Sequence, residues 1–330
     1  MSFRNWMLRW KSTWNPDMYH GWGRENRYFE GWYFKFADAD SRQVFAVIPG
    51  ISMDGSGRQH AFIQVLDGRA CKAYYHEFPA TDFKADEQGF RLQLGHNFFS
   101  AQSMELQLPE LTGRLEFSSP TPWPRMLGAP GIMGWYSFVP FMECYHGVVS
   151  LHHRITGSLS VHGHSVDFGN GIGYIEKDWG TSFPRSWIWM QSNHFDIPEK
   201  ASVMASVAHI PWLKGYFIGY IAGFQLGQQL YRFATYTGAS RRASLSDTQV
   251  EIAFRDKRHR LEITGEQAPG ARLLSPLTGE MTGKVNESIQ AKLHLRFYKG
   301  EKLVFEGTGR NSGLEIAGHT EELLSAAWQR

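Results

Sequence analysis

Short runs of alternating side chains, separated by turn residues at intervals of about ten, constrain this chain more than any other feature. Phe29–Phe36, Gln43–Pro49, His60–Asp67, Cys71–Glu77, Phe90–Leu94, Ser103–Leu108 and Gly113–Phe117 all read as strands. The series resumes with Met142–His152, Thr156–Val161, His164–Phe168, Tyr174–Trp179 and Trp187–Phe195, and continues from Ala201–His209 to Leu314–Ala317. No long helical pattern alternates with them, so antiparallel barrels or sandwiches are expected and an α/β fold is not. The 34 glycines and 15% aromatic content suit tight corners and large inward side chains. Thr320–Gln329 opens with a capping pattern and predicts a short C-terminal helix.

At 330 residues the chain is long for one barrel and comfortable for two domains. The expected division is an N-terminal arm over 1–22, a first domain over 23–169 and a second over 170–330, with the junction near Asp167–Gly173. An irregular, apolar insertion spans about 118–140, and a loop of that length and apolarity points to function instead of disorder.

Composition excludes several classes. A formal charge of +2 gives no bulk attraction to nucleic acid. The most apolar stretch, Ile210 to Leu226, is broken by Lys214 and glycines, so no spanning segment is expected. Met1 to Lys11 has neither a continuous apolar core nor a small-residue cleavage site, which predicts a cytoplasmic protein. Trp6, Trp10 and Trp14 recur at helical spacing among Arg4, Arg9 and Lys11, either as a peripheral membrane contact or as an arm packed on the body. Cys71 and Cys144 lack metal spacing and read as free thiols, with one disulfide as the alternative. Gly171-Ile-Gly173 precedes no helix, and no phosphate loop, serine elbow or redox cysteine pair occurs, so no cofactor is expected. His162 and His164 share a face without a carboxylate to complete a metal set, so they read as ordinary satisfied histidines and no metal is expected. Cys144 and His146 lie side by side on a strand face, which does not make a nucleophile and its base converge.

The chemistry concentrates in Tyr174-Ile-Glu-Lys-Asp-Trp-Gly180 and in Trp187-Ile-Trp-Met-Gln-Ser-Asn193. At period two, Tyr174, Glu176 and Asp178 share a face, with Lys177 turned to the other. Trp187, Trp189, Gln191 and Asn193 share a face of the second strand. Carboxyls near apolar rings, and near each other, tend to keep a proton, as a general acid must. Glu176 and Asp178 are thus candidate proton donors, or else members of a structural salt-bridge strand. Glu30, on one face with Trp32 and Phe34, is a third candidate acid or an edge residue in solvent. Trp32, Trp187 and Trp189 are candidates for stabilising a carbocation through their ring faces, or ordinary core packing.

Phe29-Glu-Gly-Trp-Tyr-Phe-Lys35, the Phe141-Met-Glu143 region and Tyr174-x-Glu-Lys-Asp-Trp-Gly180, with Phe183-Pro-Arg185, Trp187, Trp189, Gln191 and Asn193, resemble the tocopherol cyclase family. The likeness is strongest over about 25–36 and 138–195 and covers most of the chain, as expected of a bacterial-type homologue without a chloroplast transit region. It implies two lipocalin-like antiparallel barrels in tandem; because the acidic strand begins just after the expected junction, a small lipophilic substrate is expected at or near their seam. The implied reaction is a cofactor-independent, acid-catalysed closure of a prenylated hydroquinone to a chromanol, with Asp178, Glu176 or Glu30 as acid. Trp32, Tyr174, Trp187, Trp189, Gln191, Asn193 and Glu143 then line the substrate. The same barrel and aromatics would also serve a non-catalytic carrier of isoprenoids, or an acid-catalysed hydratase or isomerase.

Overall fold

A computed structural model describes residues 2–196 and 200–330. The expected all-β class holds. Apart from one α-helix, Phe3–Trp14, and short 3-10 turns, the regular structure of the described residues is strand, gathered into two antiparallel twelve-stranded sheets. The chain divides into two compact units. One contains the residues up to Arg69, Ala73–Phe183 and Leu273–Lys284; the other contains Ala70–Lys72, Pro184–Arg272 and Val285–Arg330.

In the first sheet the hydrogen-bonded order runs Lys72–Pro79, Gln59–Asp67, Val44–Met53, Tyr28–Ala37, Gly171–Gly180, Cys144–Val161 and Leu111–Ser118, followed by four short strands between Phe83 and Gln107. The acid-bearing strand Gly171–Gly180 is therefore paired on both edges within the first sheet, to Tyr28–Ala37 and to Cys144–Val161. This corrects the expected junction near 170: the first unit extends to Phe183. The Gly/Asn-rich stretch Asp167–Gly173 is a tight corner between two paired strands, with Asn170 left-handed at φ 63°, and turn chemistry there resembles linker chemistry.

The expected C-terminal helix is also corrected. Thr320–Leu323 is a single 3-10 turn, and Ser325–Gln329 is a strand that pairs with Ser240–Leu245. An isolated helix of ten residues is marginal, roughly 12–15 being needed, and an available strand edge satisfies the same backbone groups. The expected breaks within 142–161 close up into one strand, Cys144–Val161, with register shifts between Val148 and His153.

Each unit has its own core. Trp32, Phe34, Phe36, Phe45, Phe99, Leu115 and Ile175 fill the first, and Ile188, Met190, Val203, Ala205, Phe224 and Leu293 the second. The alternation that sends Ile175 into the first core sends Lys177 and Trp179 the same way, and turns Tyr174, Glu176 and Asp178 to the opposite face. Cys71 and Cys144 are free thiols. No helix among the described residues is long and apolar enough to cross a membrane.

Candidate functional site: a histidine between two carboxylates

Register sets this site. Asp178 lies opposite His146 and Glu176 opposite Val148, so Glu176, Asp178 and His146 project from one face of two neighbouring strands. Gly180 permits the close approach of those strands. Its φ is +150°, Cys144 is its partner, and a Cβ there would stand 2.2 Å from the Glu143 carbonyl oxygen and 3.1 Å from the Cys144 Cα.

His146 Nδ1 lies 2.8 Å from Asp178 Oδ1, and its Nε2 is 3.4 Å from Glu176 Oε2. The second contact is close enough for charge attraction but not aligned as a hydrogen bond, and Nε2 is buried without a hydrogen-bond partner. Tyr174 donates its hydroxyl to Glu176 Oε2. Burial alone would pull His146 down, but the Asp178 and Glu176 carboxylates outweigh it and push the imidazole up to about 9. At neutral pH this group is an imidazolium between two carboxylates, and it holds a proton that burial would otherwise expel. Burial and the Glu176 carboxylate likewise push the Tyr174 phenol up. Burial, with Asp178 and Glu143, pushes up the Cys144 thiol, whose Sγ is 4.0 Å from Asp178 Oδ1.

Exposure distinguishes the three charged members. The Asp178 side chain is 27% exposed, against 14% for His146 and 6% for Glu176. Asp178 is thus the member that an incoming molecule can reach. The His146, Glu176 and Asp178 ligand atoms lie within 4.8 Å of one another, a spacing that could also hold a metal ion. At 2.8 Å, His146 and Asp178 share a proton with which such an ion would compete. Glu143, half-buried at the approach to this strand, is a carboxyl that burial pushes up.

Glu30 and Trp32 lie on the opposite face. Glu30 is fully buried and ion-paired with the equally buried Lys177, and it also accepts from His20 N at 2.9 Å, Gly21 N at 3.2 Å and the Tyr28 hydroxyl. Burial would push this carboxyl up, but Lys177 and His20 outweigh it and hold it below the usual range, as an anion. Lys177 also donates to Met18 O at 2.6 Å, and its Nζ lies 4.3 Å from the Trp32 ring centroid and 4.8 Å from that of Trp179. The cation that Trp32 faces is the protein's own ammonium. Trp32 also belongs to the same sheet as Glu176 and Asp178, not to another domain as the expected junction implied.

Trp187, Trp189, Gln191 and Asn193 belong to the second unit. The Trp187 indole donates to Glu315 Oε2 at 2.6 Å, and Trp189 lies against Gly313, where a Cβ would come within 2.4 Å of its ring. Gln191 is fully buried and neither atom of its amide has a hydrogen-bond partner. Such a group can both donate to and accept from a polar ligand atom.

Sequence reasoning missed His146. Its partner is 32 residues away, and only strand pairing brings the two together. The available signal was that Cys144–Val161 and Gly171–Gly180 are separated by one short strand, and strands near in sequence tend to pair.

The molecule is thus a two-sheet β protein carrying a carboxylate–imidazole–carboxylate cluster. Residues 115–318 match the family described as tocopherol cyclase-like, and the chain belongs to that family. A protein of Oryza sativa subsp. japonica described as a probable chloroplastic tocopherol cyclase is 22% identical over 196 residues, 56% of this chain and 42% of the relative. The chloroplastic tocopherol cyclase of Zea mays is 25% identical over 199 residues, 56% of this chain and 41% of the relative. The chain therefore spans about two-fifths of the length of these relatives. In fold it is similar to CghA solved with Sch210972, with a TM-score of 0.53 and 13% identity over 88% of this chain and 89% of that one.

Proposed function

We propose that this protein is a cyclase that closes a prenylated hydroquinone, or a similar small isoprenoid phenol, to a chromanol-type ring by acid–base chemistry. The observation that carries the reading is the imidazolium His146, hydrogen-bonded at 2.8 Å to the most exposed carboxylate of its cluster, Asp178. His146 stores the proton and Asp178 delivers it. Stored on the imidazole, the proton is present at neutral pH; passed to a carboxylate, it sits on a stronger acid, since carboxylic acids ionise well below imidazolium.

The reaction balances without another reactant. The proton from Asp178 forms a C–H bond at one alkene carbon, and the phenol oxygen bonds to the other, tertiary carbon. The phenol proton then returns to the cluster, so the product is an isomer of the substrate. With His146 protonated the cluster carries two negative charges against one positive. After donation it is more negative still, which stabilises the cationic carbon while it lasts. Glu176, held by Tyr174, supplies part of that charge.

Positioned acid catalysis contributes about 10²–10⁴-fold. Asp178→Asn is expected to lower turnover by that order while leaving substrate binding within about a factor of three. The assay follows deuterium from heavy water into the ring product of a prenylated hydroquinone, with Glu143→Gln as the arm that tests the neighbouring carboxyl. Full label incorporation by both Asp178→Asn and Glu176→Gln would exclude this cluster as the acid. Binding with no product from the unaltered protein would favour a carrier.

A further inference from the structure

The helix Phe3–Trp14 is amphipathic in the reverse sense. Leu8 and Ser12 are its buried residues, and Arg9 and Lys11 turn toward the protein. Arg9 Nε donates to Trp22 O at 2.7 Å, and Lys11 Nζ donates to Glu87 O and Gln88 Oε1, both at 2.8 Å. Arg4 pairs with Glu87 yet keeps 71% of its side chain exposed. The apolar stripe faces out: Phe3 is 74% exposed, Trp6 51%, Met7 48% and Trp10 54%. The stripe continues through Trp14, whose ring lies 5.1 Å from that of Phe138, itself exposed, in the apolar segment between 118 and 140.

A helix normally buries such a stripe against the core. Here the first unit contacts the polar side, and about three turns of aromatic and methionine surface are left to solvent, which marks an interaction surface. The helix carries no acidic residue, and Arg4 is its mostly exposed cation. Tryptophan rings, apolar with one N–H, suit the headgroup level of a bilayer, and cations beside them suit anionic lipid.

We propose that Phe3, Trp6, Met7, Trp10, Trp14 and Phe138 form a docking surface for an anionic lipid bilayer. The helix lies in the plane of the interface, with its aromatic stripe among the acyl chains and Arg4 at the headgroups. This surface is independent of the acid cluster, and its test does not depend on turnover.

The test is flotation of the full chain with phosphatidylcholine vesicles, with and without phosphatidylglycerol, beside a Trp6→Ser/Trp10→Ser variant. A second variant, Phe138→Ser, probes the other half of the patch. All three positions are exposed, so an unchanged thermal midpoint is expected and is checked first. The full chain should float with the mixed vesicles and more weakly with phosphatidylcholine alone. Removing two interfacial indoles should weaken that association by roughly tenfold or more, and Phe138→Ser by less. Failure of the full chain to float with mixed vesicles overturns the proposal, as does flotation that both variants retain in full. A dimer that the Trp6→Ser/Trp10→Ser variant splits, with no flotation of either form, would assign the surface to a second copy of the chain and also overturn it.

Discussion

The two faces of the strand Gly171–Gly180 carry ionisable groups under opposite conditions. On the core face, Lys177 and Glu30 are both fully buried, and four donors from the protein converge on the Glu30 carboxylate. Two of these, from His20 and Gly21, together with the Lys177 bond to Met18 O, tie the segment after the N-terminal helix to the sheet. On the other face, Glu176 and Asp178 share one imidazolium, carry excess negative charge, and leave Asp178 partly exposed. The first arrangement has no acid to give: its carboxylate is held as an anion. The second holds a proton beside an accessible carboxylate. Successive residues of one strand thus meet opposite conditions, and the difference lies in how completely the protein neutralises the charge.

That contrast can be broken most sharply through stability. Removing one member of a buried ion pair leaves an uncompensated charge, which costs about 3–5 kcal/mol. Glu30→Gln and Lys177→Met are each expected to destabilise by that order in denaturant unfolding. The paired replacement Glu30→Leu/Lys177→Met should recover much of the loss. Asp178→Asn, on the open face, should cost less than either, since Asp178 is partly exposed and Glu176 still faces the imidazolium. Comparable costs on both faces would erase the distinction.

A smaller effect separates the faces by pH. Burial and the Lys177 ammonium pull His20 down to about 4, so the unfolded chain binds more protons than the folded one from about 6.5 down to that value. Stability from this face should therefore fall as the solution is acidified through that window. His146, raised to about 9, behaves in the reverse way: its contribution is complete below about 6.5 and is lost as pH rises through about 9. Turnover should fall across the same alkaline range, and a pH–rate profile beside thermal midpoints checks both arms.

Alternation at period two was enough to separate Glu176 and Asp178 from Lys177, and strand spacing was enough for the all-β class. Pairing across long separations was not legible. Glu30 meets Lys177 across 147 residues, and no local pattern says that its carboxylate has a cation waiting. The same limit hid His146, which reads alone as an ordinary histidine. Mutual repulsion of the two acids was legible, but the imidazole that lies between them was not. Local signals misled at both ends of the acid-bearing region. A tight corner at Asp167–Gly173 read as a linker, and a capped decapeptide at Thr320 read as a helix, although a strand edge claimed its backbone.

One spectrum tests the central claim most directly: a titration of the histidine rings by heteronuclear NMR, with His20 and His146 assigned by their His→Gln variants. The two-face account predicts that His146 changes charge near 9 and His20 near 4 in the same protein, with the His146 midpoint falling in Asp178→Asn. Both rings titrating together near the ordinary value of about 6.5, or a His146 midpoint that Asp178→Asn leaves unmoved, would contradict it.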